Sequence, residues 1–248
     1  MATAAWALAE FFTRKRHMAL PSILLLLAFV GGTLFAAHLV SGGNAFFAGA
    51  LAVIAAWFHW QRFHVPITVA AGSAVIVGTI MGLIMSGIPH AKSWVMALTF
   101  AAGVMVFLLA MRWDMSDVAR QTRRSDVAFW LHLLAAPLLV HPVFSVLGVF
   151  HGSATLSQVI SVIGLYGVLA LVSLWTDRRA LMVSALGYVL FTFTALLKQF
   201  GLVSLSFAFT ALVIGLALLV LSAFWHPSRA YVLRWVPAGL QKRLAPSQ

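Results

Sequence analysis

Long apolar runs separated by short polar segments make up most of this chain. A helix rises about 1.5 Å per residue and the hydrocarbon core of a membrane is about 30 Å thick, so a span needs about 20 mainly apolar residues. The runs are also too continuous for the alternating pattern of a barrel strand. They predict eight transmembrane helices, at 19–40, 44–61, 66–88, 93–112, 126–149, 154–175, 180–199 and 202–225.

The composition agrees with a protein that lies in lipid. Of the 248 residues 62% are hydrophobic and 8% are charged, and the mean hydropathy is +1.02. A chain of this kind has too little polar surface for a soluble fold. We therefore predict an all-α integral membrane bundle of about eight transmembrane helices, forming a single polytopic domain over 1–248.

The basic residues indicate the orientation of this bundle. Short loops rich in Lys and Arg stay in the cytoplasm. Only Lys92 and Lys198 fall on one side of the predicted spans, so both termini are predicted to be cytoplasmic, with 1–18 and 226–248 as interfacial ends. The fourteen basic residues on the other side are Arg14, Lys15, Arg16, Arg62, Arg112, Arg120, Arg123, Arg124, Arg178, Arg179, Arg229, Arg234, Lys242 and Arg243.

The net charge of +11 is explained by this topology. The expected partners are the lipid bilayer and its anionic headgroups at the cytoplasmic face, together with a membrane-protein partner, and nucleic acid is not expected. The chain has no cysteine, which excludes disulfides and thiolate metal sites.

Acidic residues are few and lie outside the spans or at their cytoplasmic ends. This placement argues against a carboxylate proton relay and against hydrolysis by two carboxylates within the membrane. The sequence therefore leans against an enzyme, and we predict no catalytic residue and no metal site. The five acidic residues are Glu10, Asp114, Asp117, Asp126 and Asp177.

Two short polar pairs precede spans five and seven. Ser125 with Asp126, and Thr176 with Asp177, have the side-chain acceptors that cap free N–H groups at a helix start. Capping is the role we predict for both pairs. Asp177 could instead pair across helices on the cytoplasmic face.

Span three carries small residues at intervals of four. Ala74, Gly78, Gly82 and Ser86 leave one face of that helix nearly without side chains, so another helix can approach it closely. We therefore predict a packing seam and place span three at the centre of the bundle. The alternative is a glycine-lined permeation path.

Span five combines two histidines with two prolines. Pro137 and Pro142 lack an N–H group, so each should bend the helix and free a carbonyl one turn earlier. His132 and His141 are nine residues apart, which turns about 180° and points the rings to opposite sides. Hydrogen bonds to neighbouring helices are the simplest role for both histidines.

A cofactor is the alternative role for these histidines. A b-type haem in a membrane needs two axial histidines from different helices at similar depth. His38 and His141 are both predicted in the outer leaflet, and His132 in the inner half of its span. The candidate cofactor-binding residues are therefore His132, His141 and His38, although the sequence requires no cofactor.

Three segments of the chain resemble a known group of proteins. FWLHLLAAPLLVHPVF, DRRALMVSALGYVLF and LSAFWHPSRAYVLRWVPAGLQKRL are similar to the C-terminal half of uncharacterised polytopic inner-membrane proteins of proteobacteria. The resemblance covers about half of the chain. It implies a bacterial inner membrane and a multi-span fold, and it transfers no activity.

Three classes of function are compatible with these observations. A non-catalytic membrane component, such as an assembly or scaffold subunit, needs only packing faces and ranks first. A small-solute transporter or channel fits the number of spans and the proline-bent span five, but lacks internal repeats and charged pathway residues. A His-ligated haem or quinone redox module ranks third.

Overall fold

The structure, a computed structural model, describes residues 2–147, 156–179 and 223–235 and isolated positions from 182 to 220. All regular structure among these residues is helical. Four helices in this part of the chain are long and apolar enough to cross a membrane, which agrees with the predicted membrane protein. They are Ala19–Val40, Ile67–Gly87, Ala91–Met115 and Arg123–Val146.

Eight α-helices can be described, with one π-helix and one 3₁₀-helix between them. In chain order they are α1 (Ala2–Ala9), the π-helix (Glu10–Lys15), α2 (Ala19–Val40), α3 (Ala45–Phe63), α4 (Ile67–Gly87), the 3₁₀-helix (Ala91–Trp94), α5 (Val95–Met115), α6 (Arg123–Val146), α7 (Leu156–Thr176) and α8 (Trp225–Leu233).

Helices α2 to α7 coincide with the first six predicted spans. Helix α2 has the predicted bounds, and each of the other five begins and ends within three residues of its prediction. The predicted spans at 180–199 and 202–225 lie largely outside the described residues. The apolar runs therefore indicate the positions of these six helices to within three residues.

Helix starts show where the predicted capping differs from the structure. The side chain of Asn44 accepts a hydrogen bond from Phe47 N at 3.0 Å and begins α3. Thr122 caps α6 in the same way, accepting from Arg124 N at 3.2 Å, so the cap is not the predicted Ser125–Asp126 pair. Ser125 instead lies buried in the first turn, where its hydroxyl accepts a hydrogen bond from Arg178, which follows α7.

The N-terminal segment, predicted as an interfacial end over 1–18, packs against the helix that follows it. Helix α1 packs along α2, and the Trp6 ring lies 5.0 Å from the rings of both Phe29 and Phe63. A Cβ atom on Gly32, in the middle of α2, would lie 3.6 Å from Ala2 N. Because α1 has no charged residue before Glu10, it can bury an apolar face against α2.

Helix α6 is the most buried of the four span-length helices. It buries 50% of its most apolar stretch, against 11% for α4. Its closest neighbour is α5, where a Cβ on Gly103 would lie 2.9 Å from the backbone of Leu138 and Leu139. In the part of the chain that the structure describes, the centre is therefore α6, and the placement of span three there is not confirmed.

The small-residue stripe of α4 does not form the predicted seam among the described residues. A Cβ on Gly78 or Gly82 would meet no described atom within 4 Å. The close approach to α3 instead joins Thr79 to Gly49, where a Cβ would clash with the threonine side chain. Gly78 lines an open groove of about 540 Å³ between α2, α3 and α4.

Candidate functional site

The most polar buried region lies where α5 and α7 end and α6 and α8 begin. Two groups of side chains meet there, and each is built around one aspartate. We call Asp114, Ser125, His132 and Arg178 the Asp114 cluster. We call Arg120, Asp177, Trp225 and Arg229 the Asp177 cluster.

The Asp114 cluster holds a two-pronged ion pair. Arg178 donates from Nε to Asp114 Oδ2 at 3.0 Å and from Nη2 to Oδ1 at 2.5 Å. The same Nη2 group also donates to the carbonyl and the hydroxyl of Ser125, at 3.2 and 3.1 Å. The side chains of Asp114 and Arg178 are 10% and 12% exposed, so this geometry joins α5, α6 and the end of α7 in a mainly buried setting.

His132, in the third turn of α6, completes this cluster. Its Nε2 lies 3.1 Å from Asp114 Oδ2, and its ring lies 5.2 Å from the ring of Phe107. An ionised carboxylate can only accept hydrogen bonds, so we assign a proton to Nε2 of His132. The imidazole therefore bridges α6 to α5, which is the interhelical role predicted for it.

The Asp177 cluster joins α7 to the loop before α6 and to α8. Arg120 donates from Nη1 to Asp177 Oδ2 at 2.6 Å, and Trp225 Nε1 donates to Oδ1 at 2.8 Å. Arg229, which is 2% exposed, places Nε 3.6 Å from the same Oδ1. Asp177 thus pairs across helices, as in the alternative that the sequence left open. A capping role for it at span seven lies outside the described residues.

The two clusters are adjacent because Asp177 and Arg178 follow each other at the end of α7. The Ser173 hydroxyl donates to the Arg178 carbonyl at 2.5 Å, which fixes the turn between them. The Arg179 guanidinium lies 4.5 Å from the centre of the Trp225 ring, a cation–π distance. Three consecutive residues after α7 therefore connect α5, α6 and α8.

Asp117 organises the loop that leads into α6. Its carboxylate accepts hydrogen bonds from Thr122 Oγ1 at 2.7 Å, from Thr122 N at 2.8 Å and from Gln121 N at 3.3 Å. The hydrogen bond from the Thr122 side chain, helped by the backbone donors, holds the pKa of Asp117 below its usual range. Asp117 therefore stabilises the loop as a carboxylate.

The three histidines predicted as cofactor ligands lie in different surroundings. His132 contacts α5, whereas His38 is exposed near the end of α2 and lines the groove beside Gly78. His141 is half-buried on α6, nine residues after His132. The Nε2 atom of His132 already faces Asp114. Among the described residues no three His, Asp or Glu side chains form a group suited to a metal ion.

The sequence pointed to His132 but missed its partners. The sequence predicts Asp114 and Arg178 at the cytoplasmic face, and His132 in the inner half of its span. Equal depth was therefore the signal that could have suggested contact. Depth alone could not single out Arg178 among the many basic residues on that face, because its pairing with Asp114 depends on which helices are neighbours.

Comparison of the chain with protein-family models, with curated proteins and with solved structures finds no match.

Proposed function

We propose that this chain is a non-catalytic, multi-pass component of a bacterial inner membrane, acting as an assembly or scaffold subunit. The observation that carries the proposal is the closed pairing within the Asp114 cluster. Both oxygens of the Asp114 carboxylate receive donors from Arg178, and Oδ2 also faces His132. The charged groups of this cluster hold α5, α6 and the end of α7 together.

Burial supports a structural role for this cluster. His132 is 1% exposed and Asp114 is 10% exposed, which leaves little surface for a substrate. A general acid or base must come within hydrogen-bond reach of the group it protonates or deprotonates. A rigid helix frame needs no such access, so the geometry favours a subunit whose outer faces bind another membrane protein.

The membrane, span number and orientation in this proposal rest on further observations. Four described helices are of span length, and six described helices follow the predicted runs. The excess of Lys and Arg on one side favours a topology of about eight spans with both termini in the cytoplasm. The resemblance to proteobacterial inner-membrane proteins supports the choice of membrane.

A partner search tests the proposal directly. The full chain, tagged and expressed at native level, is extracted from membranes in mild detergent, and the masses of the intact complexes are measured. We expect a stoichiometric membrane-protein partner to remain bound. A chain that purifies alone, and that moves solute when reconstituted by itself in vesicles, would contradict the scaffold role.

Transport of a small solute is the second candidate, and one observation favours it. The contact between His132 and Asp114 involves the proline-containing helix α6, and polar contacts of this kind occur along transport paths. In reconstituted vesicles a carrier should lose uptake on His132→Gln, with the protein still folded. His141→Gln, on the same helix, is the matched variant. Equal uptake by the wild type and by empty vesicles would eliminate this candidate.

The redox hypothesis has less support from the geometry, because His132 faces Asp114 and His38 is exposed. Its test is an absorption spectrum of the protein in mild detergent, first oxidised and then reduced with dithionite. A haem band would restore the hypothesis and make His38, His132 and His141 the first ligand variants.

A further inference from the structure

A second cavity, of about 490 Å³, lies beside the π-helix at the N-terminal ends of α2, α4 and α6. It is separate from both aspartate clusters. Its polar lining includes Thr13, His17, Ser22, His64, Arg123 and Asp126. These residues come from different parts of the chain, and the π-helix supplies Thr13.

Thr13, one of the residues that line this cavity, carries an unsatisfied polar atom. The residue is 9% exposed, and its buried Oγ1 atom has no hydrogen-bond partner among the described residues. A buried hydroxyl without a partner destabilises a protein, and most such groups in native proteins are paired. A ligand that hydrogen bonds to Oγ1 would satisfy this group.

Two opposite charges stand at the rim of the cavity. Arg123 and Asp126 are exposed on the first turns of α6, and neither forms an ion pair within the described part of the chain. The cavity therefore presents a cation and an anion about one helical turn apart. The starts of α2, α4 and α6 add partial positive charge, which favours a phosphate group.

The remaining lining is apolar. Ile23, Phe129 and Trp130 form a wall that continues from the polar rim along α2 and α6. Helix ends lie at the headgroup level of a membrane, and Trp prefers that level. The cavity is therefore polar where headgroups would lie and apolar where acyl chains would begin.

From these observations we propose that the cavity binds a zwitterionic phospholipid with a primary ammonium group. The phosphate contacts Arg123 and accepts a hydrogen bond from Thr13 Oγ1, the ammonium contacts Asp126, and an acyl chain lies along Ile23 and Phe129. This lipid site is additional to the scaffold role, and its test does not depend on any partner protein.

Lipid titration of the delipidated full-length protein tests the proposal. Binding of phosphatidylethanolamine, phosphatidylcholine and phosphatidylglycerol with identical acyl chains is measured by native mass spectrometry. We expect phosphatidylethanolamine to bind most tightly. Thr13→Val removes one hydrogen bond and should weaken its binding about 3- to 10-fold. Arg123→Gln should weaken it at least as much, and Asp126→Asn should abolish the preference over phosphatidylglycerol.

Control variants separate binding from folding. Arg124→Gln removes the same charge one residue away from Arg123, outside the cavity lining, and should leave binding unchanged. Thr13→Val should raise the unfolding temperature of the delipidated protein while it weakens lipid binding, because it removes the unpaired hydroxyl. A merely structural role for Thr13 would lower that temperature.

Three results would overturn the proposal. One is equal binding by wild type and all three cavity variants. Another is a preference for phosphatidylglycerol that does not change in Asp126→Asn. The third is full competition by soluble phosphoethanolamine at the concentration of the lipid, which would make the ligand a soluble phosphate ester.

Discussion

At the scale of single residues, the buried ion pair of Asp114 and Arg178 has an asymmetric energetic role. Removing both charges from water costs energy that their attraction only partly returns, so the intact pair adds modest stability. Removing one partner is far more damaging, since the other charge stays buried without compensation. His132 adds a second donor that depends on the same carboxylate.

We expect Asp114→Asn to destabilise the protein by about 3–5 kcal/mol, because it leaves the Arg178 guanidinium buried without a counter-charge. The measurement is the free energy of unfolding in mild detergent. Glu10→Gln is the matched control: it breaks the ion pair between Glu10 and Arg62, whose side chains are 32% and 41% exposed, and it should have a much smaller effect. Equal losses in the two variants would show that burial of the Asp114 cluster contributes nothing.

Asp117 makes the stability of the protein depend on pH in the acid range. Hydrogen bonds from Thr122 and Gln121 lower its pKa in the folded state. Its contribution to stability is therefore complete above the unfolded pKa, about 4, and is lost as the pH falls through the lower folded value. The loop before α6 should thus weaken only in acid.

We expect Asp117→Asn to flatten part of the fall in unfolding temperature between about pH 5 and about pH 2. Thr122→Val removes the largest cause of the pKa shift and should reduce the acid dependence in the same direction. Unfolding temperatures measured across this pH range provide the test. If the unfolding temperature of both variants falls with acid as steeply as that of the wild type, Asp117 is not the source of this pH dependence.

At the scale of helices, α5 and α6 form the tightest described contact. The absence of a side chain at Gly103 lets the two backbones approach, since a Cβ there would lie 2.9 Å from Leu138 C and Leu139 N. The approach falls one turn before Pro142, where the missing N–H group leaves the Leu138 carbonyl without its helical donor. The missing side chain at Gly103 therefore allows α5 to pack closely against the part of α6 that precedes Pro142.

Gly103→Ala should destabilise the protein by about 1–3 kcal/mol, because backbone atoms of α6 must move to admit the methyl group. Gly82→Ala is the control. Its Cβ meets no described atom within 4 Å, and alanine favours a helix, so stability should stay the same or rise by up to about 1 kcal/mol. Thermal unfolding of both variants in the same detergent decides between them, and a neutral Gly103→Ala would mean that the helices can separate without cost.

The sequence predicted helices well and contacts between helices poorly. Helix α2 begins and ends as predicted because its bounds depend on one continuous apolar run. Helix α6 begins three residues early because Thr122 caps it, a local choice among several polar candidates. Asp114 and Arg178 are 64 residues apart, so their pairing depends on helix neighbours that periodicity does not specify.

At the scale of the whole molecule, polar contacts gather at one end of the bundle. The Asp114 and Asp177 clusters join the C-terminal ends of α5 and α7 to the N-terminal ends of α6 and α8. Glu10 pairs with Arg62 after α3, and the lipid cavity combines residues from the starts of α2, α4 and α6. All of these segments belong to the face to which the basic residues were assigned.

The predicted orientation can be tested with introduced cysteines, because the chain contains no cysteine of its own. Single cysteines can be introduced at Ser41, after α2, and at Ser116, after α5. In cells with a permeable outer membrane, a membrane-impermeant maleimide should label Ser41→Cys at once and Ser116→Cys only after lysis. Labelling of Ser116→Cys alone in intact cells would invert the orientation and place the basic face outside. The lipid cavity would then face the outer leaflet, so the same experiment decides which leaflet can supply its phospholipid.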